Sequence, residues 1–349
     1  MRFRSVRQLK NLRGKRVLVR VDFNVAVRRG RVPPTEDLRI RRVLPTITWL
    51  IKKGARVILL THLGRPQGRR VAKLSARPLA AALHRLLKTP VVFVPVTHGP
   101  QAGAMAEKLK NGELLLLENV RFHPGEEKND ARFARALAGL ADYFVNDAFA
   151  ASHRAHASVV GVTKYLPSYA GFLLETEVTN LNRLLVEPRH PFVLVMAGIK
   201  VETKLPVVRH LLPIVDTILL GGALAGRVRL RNKKLIRPVD RRGGGLDIGE
   251  KTVRLFTHVL GGARTIVWNG PLGRCEDPRY RRGTMAIARA IARATRRGAF
   301  SVVGGGDTIP MLERAGLSGA ISFVSTGGGA VLEYLSGKTL PGLRPLLKT

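Results

Sequence analysis

The stretch GFLLETEVTNLNRLLVEP, residues 171–188, decides how the rest of the chain is divided. Leu173, Leu174, Glu177, Leu181, Leu184 and Leu185 recur at helical spacing to give a mostly apolar face. Pro167 and Gly171 precede the stretch and Pro188 closes it, so the pattern predicts one long helix. Both sides of it read alike. Before it come RVLVRVDF (16–23), RVILLTHL (56–63), VVFVPV (91–96), LLLLENV (114–120) and DYFVNDAF (142–149). After it come PFVLVMAG (191–198), TILLGGA (217–223), RTIVWNG (264–270), AFSVVGGG (299–306) and ISFVSTGGG (321–329). Amphipathic segments such as SARPLAAALHRLLKT (75–89), with Ser75 placed to cap, separate the runs. Strand–helix repetition with continuous apolar strands predicts an α/β protein of two domains, each a parallel sheet flanked by helices. The helix over 171–188 joins them.

Composition agrees with two cores: 349 residues is about two domains' worth of chain. No window approaches ~18 unbroken apolar residues, and MRFRSVRQLK lacks a signal-peptide core, so the expectation is a soluble, cytoplasmic protein with no membrane partner. The single cysteine, Cys275, excludes an intrachain disulfide framework and reads as a buried apolar residue. Sixty Lys and Arg against 24 Asp and Glu give a net charge of +36, which predicts attraction to polyanions. The densest cluster is RVRLRNKKLIRPVDRR (227–242); few aromatics accompany it, so a base-stacking platform is weakly supported.

In open parallel sheets, ligands gather outside the carboxyl ends of the strands. In the first half those ends carry Asp22 and Asn24, then His62, Gly64 and Arg65, then Arg121, then His153, Arg154 and His156, with Arg39 nearby in TEDLRIRR. That is a basic set suited to a small multiply charged anion held by arginine forks. In the second half they carry AGIKVETK, LLGG, WNGPLG, VGGGDT and STGGGA, glycine turns expected to open helices and to accept a polyphosphate. VGGGDT resembles a phosphate loop that has lost its lysine, with Asp307 in its place. SGKT (336–339) is read as a surface loop, since Leu332 stands where a P-loop needs its first glycine. HRAHAS lacks the zincin pattern, no GxGxxG occurs, and Glu127 and Lys128 read as solvated charges.

The motifs RVDFNV, HLGRP, LLENVRFHPGEEKND, NDAFAASHRAHAS, VWNGPLGRCE, VVGGGDT and VSTGGGAVLEYLSGKTLPG stand in the order found in phosphoglycerate kinases, and the resemblance runs from about Arg16 to Gly342. It implies a monomer transferring a phosphoryl group between 1,3-bisphosphoglycerate and ADP, giving 3-phosphoglycerate and ATP with Mg²⁺. By that resemblance, residues 1–170 bind 3-phosphoglycerate through Asp22, Asn24, Arg39, His62, Gly64, Arg65, Arg121 and Arg154. Residues 189–335 bind the nucleotide through Lys200, Lys204, Asn269, Glu276, Gly304, Gly305, Gly306, Asp307 and Thr308, with Asp307 towards Mg²⁺ and Arg39 and Lys200 catalytic. Residues 336–349 return to the first domain, and the joining helix acts at a hinge. MAGIK stands where the family usually has GGAK, and the interval from Gly222 to Asp247, near the adenine side in the family, is shorter than usual. The charge also motivates an alternative: the same fold used chiefly to bind nucleic acid or another polyanion, or such binding as a weak accessory property.

Overall fold

The computed structural model describes residues 2–348 and separates into two units. Unit 1 comprises the chain up to Glu177 together with the segment from Thr339 onward; unit 2 runs from Val178 to Lys338.

Unit 1 alternates β1 (Arg16–Arg20), α1 (Leu38–Lys52), β2 (Arg56–Leu60), α2 (Arg77–Leu87), β3 (Val91–Val94), α3 (Pro100–Lys108), β4 (Leu114–Leu117), α4 (Ala131–Ala138), β5 (Tyr143–Asn146) and β6 (Ser168–Ala170). The strands form one sheet in the order β3-β4-β2-β1-β5-β6, paired in parallel throughout. Period-two alternation explains the unbroken apolar runs. Val17, Val19, Val57 and Leu59 join one core with Ile40 and Ile47 of α1 and Leu83 of α2; Leu18, Ile58, Leu60 and Phe144 join the other with Ala106 of α3 and Phe133 of α4. The C-terminal segment is tied into this unit, Gly342 N–H donating to Ser152 O at 2.8 Å and Asn146 Nδ2 to Gly342 O at 3.2 Å.

Helix α5 (Phe172–Leu185) follows. Its first turn is held by the buried carboxylate of Asp147, which accepts from Leu174 N–H at 3.0 Å, and by Thr46, whose hydroxyl oxygen accepts from Phe172 N–H at 3.0 Å.

Unit 2 continues with β7 (Phe192–Met196), α6 (Val201–Leu211), β8 (Thr217–Leu220), α7 (Leu224–Arg227), β9 (Leu235–Ile236), β10 (Arg241–Arg242), β11 (Asp247–Ile248), α8 (Glu250–Gly262), β12 (Thr265–Asn269), α9 (Arg282–Arg296), β13 (Phe300–Gly304), α10 (Ile309–Arg314), β14 (Phe323–Ser325) and α11 (Gly329–Leu335). Its parallel sheet has the order β14-β13-β12-β7-β8-β9, with β10 and β11 forming a separate antiparallel hairpin. Val195, Ile266, Trp268 and Val303 pack with Phe256 of α8 and Ile287 and Ile291 of α9. A parallel crossover ordinarily carries a helix long enough to cover its strands. Between β8 and β9 the helix, α7, has four residues.

Three strand elements fall outside the sequence reading. β6, β9 and the β10–β11 hairpin are two or three residues each, too short to generate an apolar run.

Candidate functional site

In unit 1 the carboxyl ends of β1, β2, β4 and β5 lead into one charged network, and its centre is a residue that the sequence reading passed over. Arg20, the last residue of β1, is fully buried. Its Nε donates to Ser158 Oγ at 2.9 Å, a terminal nitrogen donates to Val21 O, and the other meets His62 Nδ1 at 3.1 Å. Burial lowers its pKa, while the carboxylates of Glu126 and Asp22 favour its charge. Glu126, also buried, accepts from Ser158 N–H at 2.9 Å and from its hydroxyl at 2.6 Å, with His156 Nδ1 at 3.6 Å.

Asp22 pairs with Arg39 of α1 and accepts from Asn24 N–H at 3.1 Å. Burial alone would raise its pKa; Arg39 first, then the Asn24 N–H and Arg20, bring it down to about 2. His62 is held well below the usual histidine range, first by burial and then by Arg20, Arg121 and Arg39, so its ring is neutral at neutral pH.

The HLGRP turn is fixed from three sides. Asn24 Oδ1 accepts from Gly64 N–H at 2.9 Å, Gly64 O accepts from Arg121 at 2.7 Å, and Asn119 Nδ2 donates to Leu63 O at 2.7 Å and Leu74 O at 2.9 Å. Gly64 has φ +64°, and a Cβ there would stand 2.8 Å from Leu74 Cδ2. Arg121 is brought down to about 10, by burial first and then by Arg20 and Arg154. Arg154 Nε donates to His153 Nε2 at 3.2 Å, and Arg65 is exposed on its loop. Glu127, read from sequence as a solvated charge, is exposed, and it also stands 3.3 Å from Arg121 Nε. The structure thus brings Asp22, Asn24, Arg39, His62, Gly64 and Arg121 into one bonded network through Arg20. Four arginines, Arg20, Arg39, Arg121 and Arg154, share the field with three carboxylates, leaving capacity for an anion with several negative oxygens.

In unit 2 the turns after β7, β8, β12 and β13 touch one another. Gly270 has φ +96°, and a Cβ there would lie 2.0 Å from Ala197 O and 2.4 Å from Lys204 Nζ. A Cβ on Gly222 would lie 2.8 Å from Gly198 N. Gly270 N–H donates to Thr308 Oγ1 at 3.1 Å, binding the WNGP turn to the GGGDT turn. Lys204, on α6, is nearly buried and donates to Ala197 O. Its pKa falls to about 8, because burial disfavours the ammonium and Lys200 repels it, against the attraction of Asp307. Lys200, Lys204 and Asp307 therefore act on one another across these turns. Asn269 ends β12 and is buried; Gly305 has φ +115°, and a Cβ on Gly306 would meet nothing within 4 Å.

One expectation changes here. The WNGPLG turn opens no helix directly, since α9 starts only at Arg282; α10 and α11, which do follow the glycine turns, have six and seven residues. An anion at these turns would meet backbone N–H groups and side-chain cations more than long helix dipoles. Asp307 is exposed and does not cap α10, whose cap position is Thr308, so its carboxylate is open to a ligand. Glu276 is likewise exposed in the loop after β12. Among the described residues no group of three or more His, Cys, Asp or Glu side chains could hold a metal ion. One open carboxylate beside polyphosphate turns suits Mg²⁺, which takes one or two protein carboxylates and completes its shell with phosphate oxygens and water. Cys275 is buried, donates to Thr284 Oγ1 at 3.2 Å, and has its thiol pKa raised by burial, so it is no nucleophile. SGKT follows the end of α11 without a preceding strand.

Comparison with known proteins bears on the chain as a whole. The profile of the family described as phosphoglycerate kinase matches residues 6–237 and 228–338. The chain is 44% identical over 395 residues to a phosphoglycerate kinase of Thermomicrobium roseum, covering 99% of both chains. It is 45% identical over 390 residues to that of Rubrobacter xylanophilus, covering 98% of both. The structure of phosphoglycerate kinase from Pyrococcus horikoshii superimposes with a TM-score of 0.87 at 31% identity, and that from Coxiella burnetii with 0.81 at 35%, each over 98% of both chains. The match to the Thermomicrobium protein runs over 395 positions against 349 residues here, so 46 or more positions lie opposite no residue of this chain. The two matched stretches of the family profile overlap at 228–237, the segment that follows α7 and includes β9. The chain belongs to the phosphoglycerate kinase family.

Proposed function

We propose that this protein transfers a phosphoryl group reversibly between 1,3-bisphosphoglycerate and ADP, giving 3-phosphoglycerate and ATP. The observation that carries the reading is the near-full-length family match together with its two complementary site halves: an arginine network in unit 1 and cation-bearing glycine turns in unit 2. Asp22, Asn24, Arg39, His62, Gly64, Arg65, Arg121 and Arg154 hold the glycerate substrate. Lys200, Lys204, Asn269, Glu276, Gly304, Gly305, Gly306, Asp307 and Thr308 hold the nucleotide.

In the ATP-consuming direction the acceptor is a carboxylate, already ionised at neutral pH, so no general base is required. Rate acceleration then comes from placing the acceptor in line with the γ-phosphate and from neutralising charge on three equatorial oxygens. Arg39 and Lys200 are the residues assigned to that neutralisation, with Asp22 setting the position of Arg39. Mg²⁺, held through Asp307 and the nucleotide phosphates, supplies further charge neutralisation when bound. Lys204, donating to Ala197 O, holds the turn after β7. Turnover requires the acceptor and donor to come within roughly 3–3.5 Å, so the segment including α5 must permit closure and the exclusion of water from the acyl phosphate. The protein acts as a cytoplasmic monomer; among the described residues no helix is long and apolar enough to cross a membrane. The polyanion-binder reading rests on net charge alone.

A coupled assay with 3-phosphoglycerate and MgATP tests the proposal. Turnover falling by about 10²-fold or more in Lys200→Ala and Arg39→Ala is expected. Absence of turnover in the pure protein, or turnover indifferent to both substitutions, overturns it.

A further inference from the structure

At the amino-terminal ends of the unit 1 strands, away from the carboxyl ends that carry the site above, lies a cleft of about 410 Å³. Four cationic side chains line it, Arg13, Lys15, Arg16 and Arg56, against two acidic residues, Glu107 and Asp142. Arg16 and Arg56 open β1 and β2 and are direct register partners on these parallel strands. Their side chains therefore leave the same face of the sheet, where like charges repel unless an anion lies between or beside them. Asp142 is committed to Arg16: one carboxylate oxygen accepts from Arg16 N–H at 2.8 Å, and the other stands 4.0 Å from its guanidinium. Arg56 is left with less. It reaches only the main-chain oxygen of Glu107, at 3.5 Å, and among the described residues its buried Nε has no hydrogen-bond partner. A guanidinium edge with an unmet buried donor, flanked by the exposed cations Arg13 and Lys15 on the turn around Gly14, is a receptor for a compact anion with several acceptor oxygens.

We propose that this cleft is a second anion site, binding a tetrahedral phosphate dianion through the Arg56 fork with Arg13 and Lys15 closing over it. Four cations against two carboxylates leave a surplus of two positive charges, which matches a dianion. The phosphate group is the recognised chemistry, whether as the free ion or as a phosphomonoester.

Calorimetric titration of the full-length protein with inorganic phosphate and, separately, with glycerol phosphate, at ~150 mM salt to suppress diffuse attraction, tests this. Arg56→Gln and Arg13→Gln are each expected to weaken one phosphate site about ten-fold, the size expected for loss of a charge-assisted hydrogen bond. The turnover number with 3-phosphoglycerate and MgATP should stay within about two-fold, because neither residue belongs to the binding machinery. Arg296→Gln, an equal loss of charge on the exposed face of α9, is expected to leave phosphate binding unchanged. Arg13 is exposed, so that variant keeps the test decisive should Arg56→Gln fold poorly. Tighter binding of glycerol phosphate assigns the site to esters, and tighter binding of the free ion to phosphate itself; both retain the site. Phosphate binding by Arg13→Gln within two-fold of the parent, or an equal loss in Arg296→Gln, overturns the proposal.

Discussion

Arg20→Met removes the one fully buried cation among the described residues of unit 1 while leaving a side chain of similar length. Three bonds go with it, to Ser158 Oγ, Val21 O and His62 Nδ1. More costly is what stays behind. Glu126 and Asp22 are both buried, and each has Arg20 among the charges that hold its carboxylate ionised. Breaking a buried ionic cluster by deleting one partner costs about 3–5 kcal/mol, whereas losing three ordinary hydrogen bonds would cost no more than that in total and an exposed pair far less. At about 2–4 °C per kcal/mol for a unit of this size, the melting midpoint of unit 1 should fall by roughly 10 °C. Arg20→Lys should recover part of this, since it keeps the charge but loses the fork. The chain has two tryptophans, Trp49 in unit 1 and Trp268 in unit 2, so guanidinium unfolding followed by fluorescence, with Trp268→Phe as the background, reads unit 1 alone. The Michaelis constant for 3-phosphoglycerate should rise with the same variants, because Asp22 and His62 lose their common partner. A loss below about 1 kcal/mol in Arg20→Met would refute the argument, as would strict additivity with Glu126→Gln in a double-mutant cycle.

Three further outcomes follow from the same geometry. Lys204 titrates at about 8, so its ammonium is present below that pH and lost above it; the Michaelis constant for ATP should rise between pH 7.5 and 9, and Lys204→Met should remove that inflection from the pH profile. The β8–β9 crossover leaves the carboxyl end of β8 with only the four residues of α7 beside it, so little structure is available to hydrogen-bond a base edge: kcat/KM for GTP should lie within ~10-fold of that for ATP, and a preference above ~10³ would show a base pocket built from elsewhere. Asp147 has its carboxyl raised to about 7 by burial, against about 3.8 unfolded, so the folded state binds the extra proton between these values. Stability from this group is complete below about pH 4 and declines as pH rises through 7, by on the order of 4 kcal/mol if no other group compensates. Asp147→Asn keeps an acceptor for Leu174 N–H and should flatten that slope in urea titrations; an unchanged slope between pH 5 and 8 would contradict it.

What was legible in the sequence is what local periodicity and turn chemistry can encode. Val17 and Val19 face one core and Leu18 the other, so β1 had to read as an unbroken apolar run, and the residues just beyond such runs, Asp22, His62, Asn269 and Asp307, stand out because they interrupt it. Arg20 stayed hidden for the same reason. Within RVLVRVDF it is indistinguishable from Arg16, yet Arg16 opens the strand partly exposed while Arg20 closes it in full burial, against a serine 138 residues away. Glu127 is exposed as read, but its pairing with Arg121 was hidden likewise, because the two could face each other only after the PGEEK turn was formed. Lys200 and Lys204 form a matched pair in sequence and part company in the fold: Gly270 and Ala197 close over Lys204, and Lys200 stays in solvent. Cations at the strand ends could thus be read off the chain, but their counterions could not, since ion pairing joins residues that no local period relates. The distinction limits what the +36 surplus can mean for the site: Asp22, Glu126 and Glu127 offset much of the charge on Arg20, Arg39 and Arg121, and the anion capacity left over belongs to particular unmatched donors and not to the total.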